Sequence, residues 1–190
     1  MTSTRDHIVE VTSQLLEAQG YHATGLNQII AQSGAPKGSL YYYFPQGKEE
    51  LTAEAVMRTG RLTAQRIMEQ LALIEEPAEA LRQFTCNIAY YVEHSGFEAG
   101  GPLSIVAMET VNSSERVNLV CRAAYQLLQR AFADKLRQSG YTQERAERLA
   151  TFVTASLEGG IMLSRINHSS QPLRVMADEL ADFVQAAPKE

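Results

Sequence analysis

Only two of the 190 residues are cysteine. Cys86 and Cys121 lie far apart and lack CxxC spacing, which excludes a disulfide framework and a thiolate zinc site and leaves two free, buried thiols as the expectation. The four histidines, His7, His22, His94 and His168, do not fall at metal-ligand spacing, so no metal or other cofactor is expected. No stretch approaches 18 uncharged apolar residues, and the opening MTSTRDHIVE carries Arg5, Asp6 and Glu10 where a leader would be apolar. The expected place is the cytoplasm, with no membrane partner. GxSxG, HExxH, a P-loop and a Gly-rich dinucleotide fingerprint are all missing, which speaks against an all-helical enzyme.

Alternating strand patterns and hairpin dipeptides are missing too. What is there instead is helical periodicity from end to end, with 45% hydrophobic residues to build a sizeable core. A first amphipathic helix is read over 4–19, with Ile8, Val11, Leu15 and Ala18 on one stripe and Gly20 as its stop. Thr24 is placed to cap a short helix through about 32, with Leu26, Ile29 and Ile30 inward, and Ser33-Gly34 then gives a tight turn before Pro36 opens another. Two short helices split by a Gly-containing turn form the helix-turn-helix pattern. A longer helix follows over 48–74, ending at Glu75-Glu76-Pro77. Further helices are expected over 77–93, 103–111, 114–138, 142–167 and 173–187, separated by Gly, Pro, Ser and Asn breaks.

Acid is the most telling local absence. The whole chain has a net charge of −5, which by itself argues against nucleic acid, because phosphate has to be met by Lys or Arg. Yet positions 21–48 contain no Asp or Glu, while Lys37 and Lys48 are present. Within this window, on a wheel of 100° per residue, Leu40 and Phe44 share the core face. Gly38 and Tyr42 point the opposite way, with Ser39, Tyr41 and Tyr43 on the flanks. Either Tyr41 or Tyr43 singly can pack back on the first helix, but the three tyrosines cannot all do so. Such a face gains nothing from water and suits a duplex groove: Gly38 admits a close backbone, hydroxyls donate to phosphate oxygens, and rings meet thymine methyls.

The run GYHATGLNQIIAQSGAPKGSLYYYFPQGKEEL resembles the DNA-binding domain of TetR-type transcriptional regulators, over about residues 5–55. In that family a Thr opens the motif, a Lys-Gly-x-Leu-Tyr-x-x-Phe run forms the reading helix, and Lys-Glu-x-Leu follows. The resemblance implies that Thr24, Lys37, Gly38, Ser39, Tyr41, Tyr42, Tyr43 and Lys48 meet DNA. The sequence departs from the family pattern at Tyr43, where His is usual, at Pro36, where a small polar residue is usual, and in one extra residue within FPQGKEE. That extra residue, GAPKGSLY and the later LEGGIMLSR resemble the LmrA/YxaF-like branch.

The implied architecture is all-α, with a DNA-binding domain over 1–50 and a helical domain for effector binding and dimerisation over 51–190. The implied partners are a double-stranded operator, a second copy of the chain and a small molecule, with the helix from Lys48 as the lever between events. Phe84, Ile88 and Tyr91 follow apolar spacing, with Asn87, Tyr90 and His94 as polar handles. Asn87, Tyr91, Met108, Tyr125, Phe152, Glu158 and Met162 are the candidate ligand residues. Gly159-Gly160 inside a helix costs roughly 1 kcal/mol per residue against Ala, which calls for a close helix approach at a dimer seam, room for a ligand, or a kink. The leading reading is a homodimeric, ligand-responsive repressor. Its rival is a DNA-binding dimer whose C-terminal domain serves dimerisation or protein contacts alone.

Overall fold

The computed structural model describes residues 3–101 and 103–190, which form nine helices and, among the described residues, no strand. They are α1 Thr4–Ala23, α2 Leu26–Ser33, α3 Lys37–Tyr43, α4 Lys48–Ala72, α5 Pro77–His94, α6 Ser104–Thr110, α7 Glu115–Gln138, α8 Gln143–Asn167 and α9 Gln171–Ala186. Each begins and ends within about two residues of a Gly, Pro, Ser or Thr signal, except that α4 ends at Ala72, five residues before Pro77. Helical backbone bonding carries α1 past Gly20 to Ala23, although Gly20 itself has φ 78° and breaks the helical path.

The chain forms two compact units, Met1–Arg61 with Pro102–Tyr125, and Leu62–Gly101 with Gln126–Glu190. This spatial division is distinct from the functional one expected at 50/51. In the first unit α1 packs on α2, α3 and α6. Ile8, Val11 and Leu15 are buried as expected, joined by Val9 and Leu16. Ala18, expected on the same stripe, is exposed, because the stripe that turns inward near the end of α1 runs through Leu15, Leu16 and Gly20. On α2 only Ile29 is fully buried, while Leu26 and Ile30 are half-buried.

Thr24 has a different job from the one its position suggests. Its hydroxyl donates to the Gly20 carbonyl at 2.7 Å and its N–H to the Tyr21 carbonyl, so it closes α1, while Gly25 precedes α2 without a side-chain cap.

Within the same unit α4 and α7 cross with no room to spare. A Cβ on Gly60 would lie 2.6 Å from the Ala124 Cβ and 3.0 Å from its Cα. Gly60→Ala would gain up to about 1 kcal/mol in an open helix. Here it is expected to lower stability by about 1 to 2 kcal/mol through overpacking, read as a drop in Tm in thermal unfolding.

In the second unit α9 packs along α5 and against α8. Phe84 meets Phe132 edge-on at 5.6 Å, and Ala89, Val92, Ile161 and Leu173 form a buried cluster with Ile88, Phe97 and Met176 against it. The Tyr141 hydroxyl donates to the Val184 carbonyl at 2.7 Å, tying the start of the α8 region to the end of α9. Helix α8 runs unbroken through Gly159-Gly160. A Cβ on Gly160 would lie 2.6 Å from Met176 Cε, so this glycine sits directly beneath the Met176 side chain of α9, whereas nothing lies within 4 Å of a Cβ on Gly159. Cys121 is buried and Cys86 half-buried, both free. Burial pushes the Cys121 thiol up to about 11, against a smaller opposing effect of its bond with Thr110, so it stays protonated and unreactive near neutral pH.

Candidate DNA interface

Helix α3 starts after Pro36, whose fixed φ of −56° presets the turn, and ends where the Phe44 N–H donates to the Leu40 carbonyl at 2.8 Å. Leu40 and Phe44 are both fully buried. The Arg5 guanidinium lies 5.3 Å from the Phe44 ring centroid and pairs with Glu54 on α4, so the end of α3 is held from α1 and α4 together. These anchors fix which way the rest of the helix faces.

The opposite face is bare. Tyr42 is 79% exposed and Tyr41 44%, Lys37 and Gly38 are exposed, and Ser39 and Tyr43 are half-buried. Tyr43 lies edge-on between its neighbours, 5.2 Å from the Tyr42 ring and 6.5 Å from Phe44. Nothing lies within 4 Å of where a Gly38 Cβ would be. The fold therefore gives no packing reason for a glycine that costs roughly 1 kcal/mol in a helix. Neither α2 nor α3 contains a carboxylate.

Lys48, the first residue of α4, holds its Nζ 4.2 Å from the Tyr21 ring centroid. Its ammonium is shifted below the usual lysine range, chiefly by burial and against the pull of Glu109. Burial, then the charge of Glu49, pushes the Tyr21 phenol up. Before α4, the extra residue of the loop is accommodated by Gly47 at φ 74°, and the Gln46 N–H donates to Glu50 Oε2 at 2.9 Å. Arg116 of α7 donates to the Gln46 side chain. Of the eight residues expected at DNA, seven are brought to the α3 face or the start of α4, and Thr24 stands inside with its hydroxyl committed to Gly20.

The seven candidate ligand residues fall in both units. Met108 and Tyr125 belong to the first unit and the other five to the second. Asn87 is exposed and bonded to Gln83 and Gln70, and Tyr91 is exposed because Val92 rather than Tyr91 takes the inward position on α5. Met108, Phe152 and Met162 are exposed, and Tyr125 and Glu158 half-buried. The second unit has an open cleft of about 620 Å³ along α7 and α8, lined by polar groups such as Gln126, Arg130, Asp134 and Glu147. None of the seven residues lines it.

On α8 the spacing of Phe152, Gly159, Leu163 and Ile166 places them on one stripe. Phe152, Leu163 and Ile166 are exposed. Phe152 meets Phe183 of α9 at 4.7 Å between centroids, and both are 45% exposed. Sequence reasoning named the tyrosines and lysines but passed over Tyr21, Glu109 and Arg116. Glu109 did carry a signal, as the lone ionisable residue of an otherwise apolar and small LSIVAMET segment.

Residues 8–55 match the sequence model of the tetR family of bacterial regulatory proteins, and 77–179 that of the C-terminal domain of LmrA/YxaF-like transcriptional regulators. The chain is 40% identical over 181 residues to the uncharacterized HTH-type transcriptional regulator YxaF of Bacillus subtilis (strain 168), covering 95% of each. It is 38% identical to the HTH-type transcriptional regulator LmrA of the same organism, over 95% of this chain and 96% of that one. Among solved structures it is similar to reduced NemR of E. coli, with a TM-score of 0.80, 20% identity, and 94% and 96% coverage of the two chains. A TetR regulator from Legionella pneumophila also gives 0.80, at 18% identity, with 96% and 97% coverage. At those identities the likeness is one of fold.

Proposed function

Since the chain belongs to the TetR family of bacterial transcriptional regulators, with an LmrA/YxaF-like C-terminal domain, and is a DNA-binding regulator rather than an enzyme, we propose that it is a ligand-responsive repressor acting in the cytoplasm as a homodimer. Residues 1–50 serve as its DNA-binding domain and 51–190 as its effector and dimerisation domain. The observation that carries the DNA half of this reading is the bare α3 face. Gly38, Tyr41 and Tyr42 are exposed opposite two fully buried anchors, on a helix without acid. Lys37, Ser39, Tyr43 and Lys48 flank that face, and Thr24 holds the turn behind it. Two such helices in a two-fold dimer read a palindrome whose half-sites lie about 34 to 36 Å apart.

The dimer half rests on the exposed apolar stripe of α8 with Phe183 of α9. A second copy would cover it, and Gly159 would let the helices come close. A small hydrophobic or aromatic effector in the C-terminal domain releases the operator through a coupling of about 1 to 3 kcal/mol. The rival reading, dimerisation or protein contacts without an effector, is favoured by the exposure of Tyr91, Met108 and Met162.

Selection of bound duplexes from a random pool tests the reading, repeated with a panel of hydrophobic and aromatic compounds. A palindromic consensus released by one class of compound is the expected result. A consensus that no compound releases favours the rival, and the absence of any consensus overturns both. Lys48→Ala is expected to weaken operator and random DNA alike and to lower the slope of log K against log salt by about one. A mobility-shift titration over a salt series measures it.

A further inference from the structure

Just after Gly20 a single side chain takes two consecutive backbone N–H groups. Gly20 stands at φ 78°, ψ −174°, which breaks the helical path just before Tyr21 and His22. Glu109 Oε2 on α6 accepts both, at 2.5 and 2.9 Å. The approach is close enough that a Cβ on Gly20 would lie 2.6 Å from Glu109 Oε1 and 2.8 Å from Ile105 Cγ2. Charge-assisted bonds of this kind fix a backbone more firmly than neutral ones. The side chain that the fixed backbone carries is the Tyr21 ring, and over that ring sits Lys48 Nζ at 4.2 Å.

We propose that Glu109, acting through Tyr21, is a positioning residue for DNA binding, holding the Lys48 ammonium at the start of α4 where it meets a backbone phosphate. A cation over an aromatic face keeps its charge while losing freedom, so its reach is set before DNA arrives. Ordering entropy that would otherwise be lost on binding has then been spent in folding. Glu109 adds its own attraction for Lys48, which opposes the effect of burial on the ammonium. A purely structural role would need an acceptor for two N–H groups and nothing at the Tyr21 ring. The ring and the lysine give the arrangement its second function.

This inference rests on the reading that Lys48 contacts DNA, and the test separates the two. Fluorescence anisotropy with the selected operator duplex is measured over a KCl series for the full chain and its variants, with thermal melting alongside. Lys48→Ala sets the reference loss. Tyr21→Leu and Glu109→Ala are each expected to weaken operator binding about 5- to 10-fold and to lower the salt slope by about one, as Lys48→Ala does. Tyr21→Phe keeps the ring and stays within about twofold of the parent, whereas Glu109→Gln keeps an acceptor but loses the charge and falls between the parent and Glu109→Ala. Tyr21→Leu combined with Lys48→Ala binds no more weakly than Lys48→Ala alone, because the two act as one unit.

If Glu109→Ala melts too low to assay, the Tyr21–Lys48 cycle decides. Losses that multiply in the double variant overturn the inference, and so does an unchanged salt slope in Tyr21→Leu beside a lowered one in Lys48→Ala. A Lys48→Ala variant with the parental affinity and slope removes the DNA role of Lys48 and the inference with it.

Discussion

Phe44→Ala is expected to lower stability by about 3 to 5 kcal/mol, the largest loss of any single substitution in the DNA-reading part of the chain. The ring is fully buried, the Arg5 guanidinium lies 5.3 Å from its centroid, and Tyr43 meets it edge-on. Truncation removes the transfer energy of the ring and leaves a cavity, and it also takes away the aromatic surface beneath a charge. The neighbours cannot close in easily. Leu40, one turn earlier, is fully buried already, and Arg5 is tied to Glu54. Urea unfolding at fixed protein concentration measures the loss as a fall in Cm at unchanged m. A loss below about 1 kcal/mol would mean that the end of α3 is not anchored by this ring.

Two residues earlier the same helix should behave in the opposite way. Tyr42→Ala is expected to leave unfolding within about 0.5 kcal/mol of the parent, as for a surface substitution. Operator binding should fall by about 1 to 3 kcal/mol, or roughly 5- to 150-fold. Tyr42 is 79% exposed and its ring meets that of Tyr43 edge-on, so its side chain contributes little to the folded state. What it offers is a flat apolar ring and a hydroxyl at the outermost point of α3. Tyr42→Phe divides the two: affinity near the parent assigns the work to the ring, and affinity near that of Tyr42→Ala assigns it to the hydroxyl. A mobility-shift titration in which Tyr42→Ala binds the operator like the parent would remove this residue from the interface.

The contrast between Phe44 and Tyr42 was legible in the sequence because it depends only on helical period, and a seven-residue helix leaves little room for another solution. The helix limits were legible for a similar reason. Gly34 in the left-handed region, Pro36, Pro77 and Thr142 act on the backbone locally, whatever the rest of the chain does. Distant pairings were less visible. Nothing near Thr24 announces that its hydroxyl turns back to Gly20, because a Thr before a helix and a Thr after one look alike in sequence. The partnership of Glu109 with the N–H groups of Tyr21 and His22 spans nearly ninety residues. It depends on α6 packing against α1, which periodicity cannot foresee.

The orientation of Tyr91 on α5 was hidden for a related reason. Apolar spacing along α5 identifies a stripe but not its centre, and the structure sets that centre at Val92, leaving Tyr91 outside. Gly159-Gly160 was half legible. The close approach expected at a dimer seam is met for Gly160 by a neighbour within the subunit instead, Met176, while nothing lies within 4 Å of a Cβ on Gly159.

The acid-free helices α2 and α3 also bear on how quickly the protein finds its site. All 22 acidic residues lie outside positions 21–48, in a chain of net charge −5. If the tyrosine face is the one that meets DNA, a duplex approaching it encounters no carboxylate of α2 or α3, whereas the net charge of the rest of the chain opposes approach elsewhere. At physiological salt the Debye length is about 8 Å, so the discrimination acts only in the last moments of an encounter. On that reading, misoriented collisions are expected to be shed before they become bound states, so that the search proceeds through brief, mostly head-first contacts.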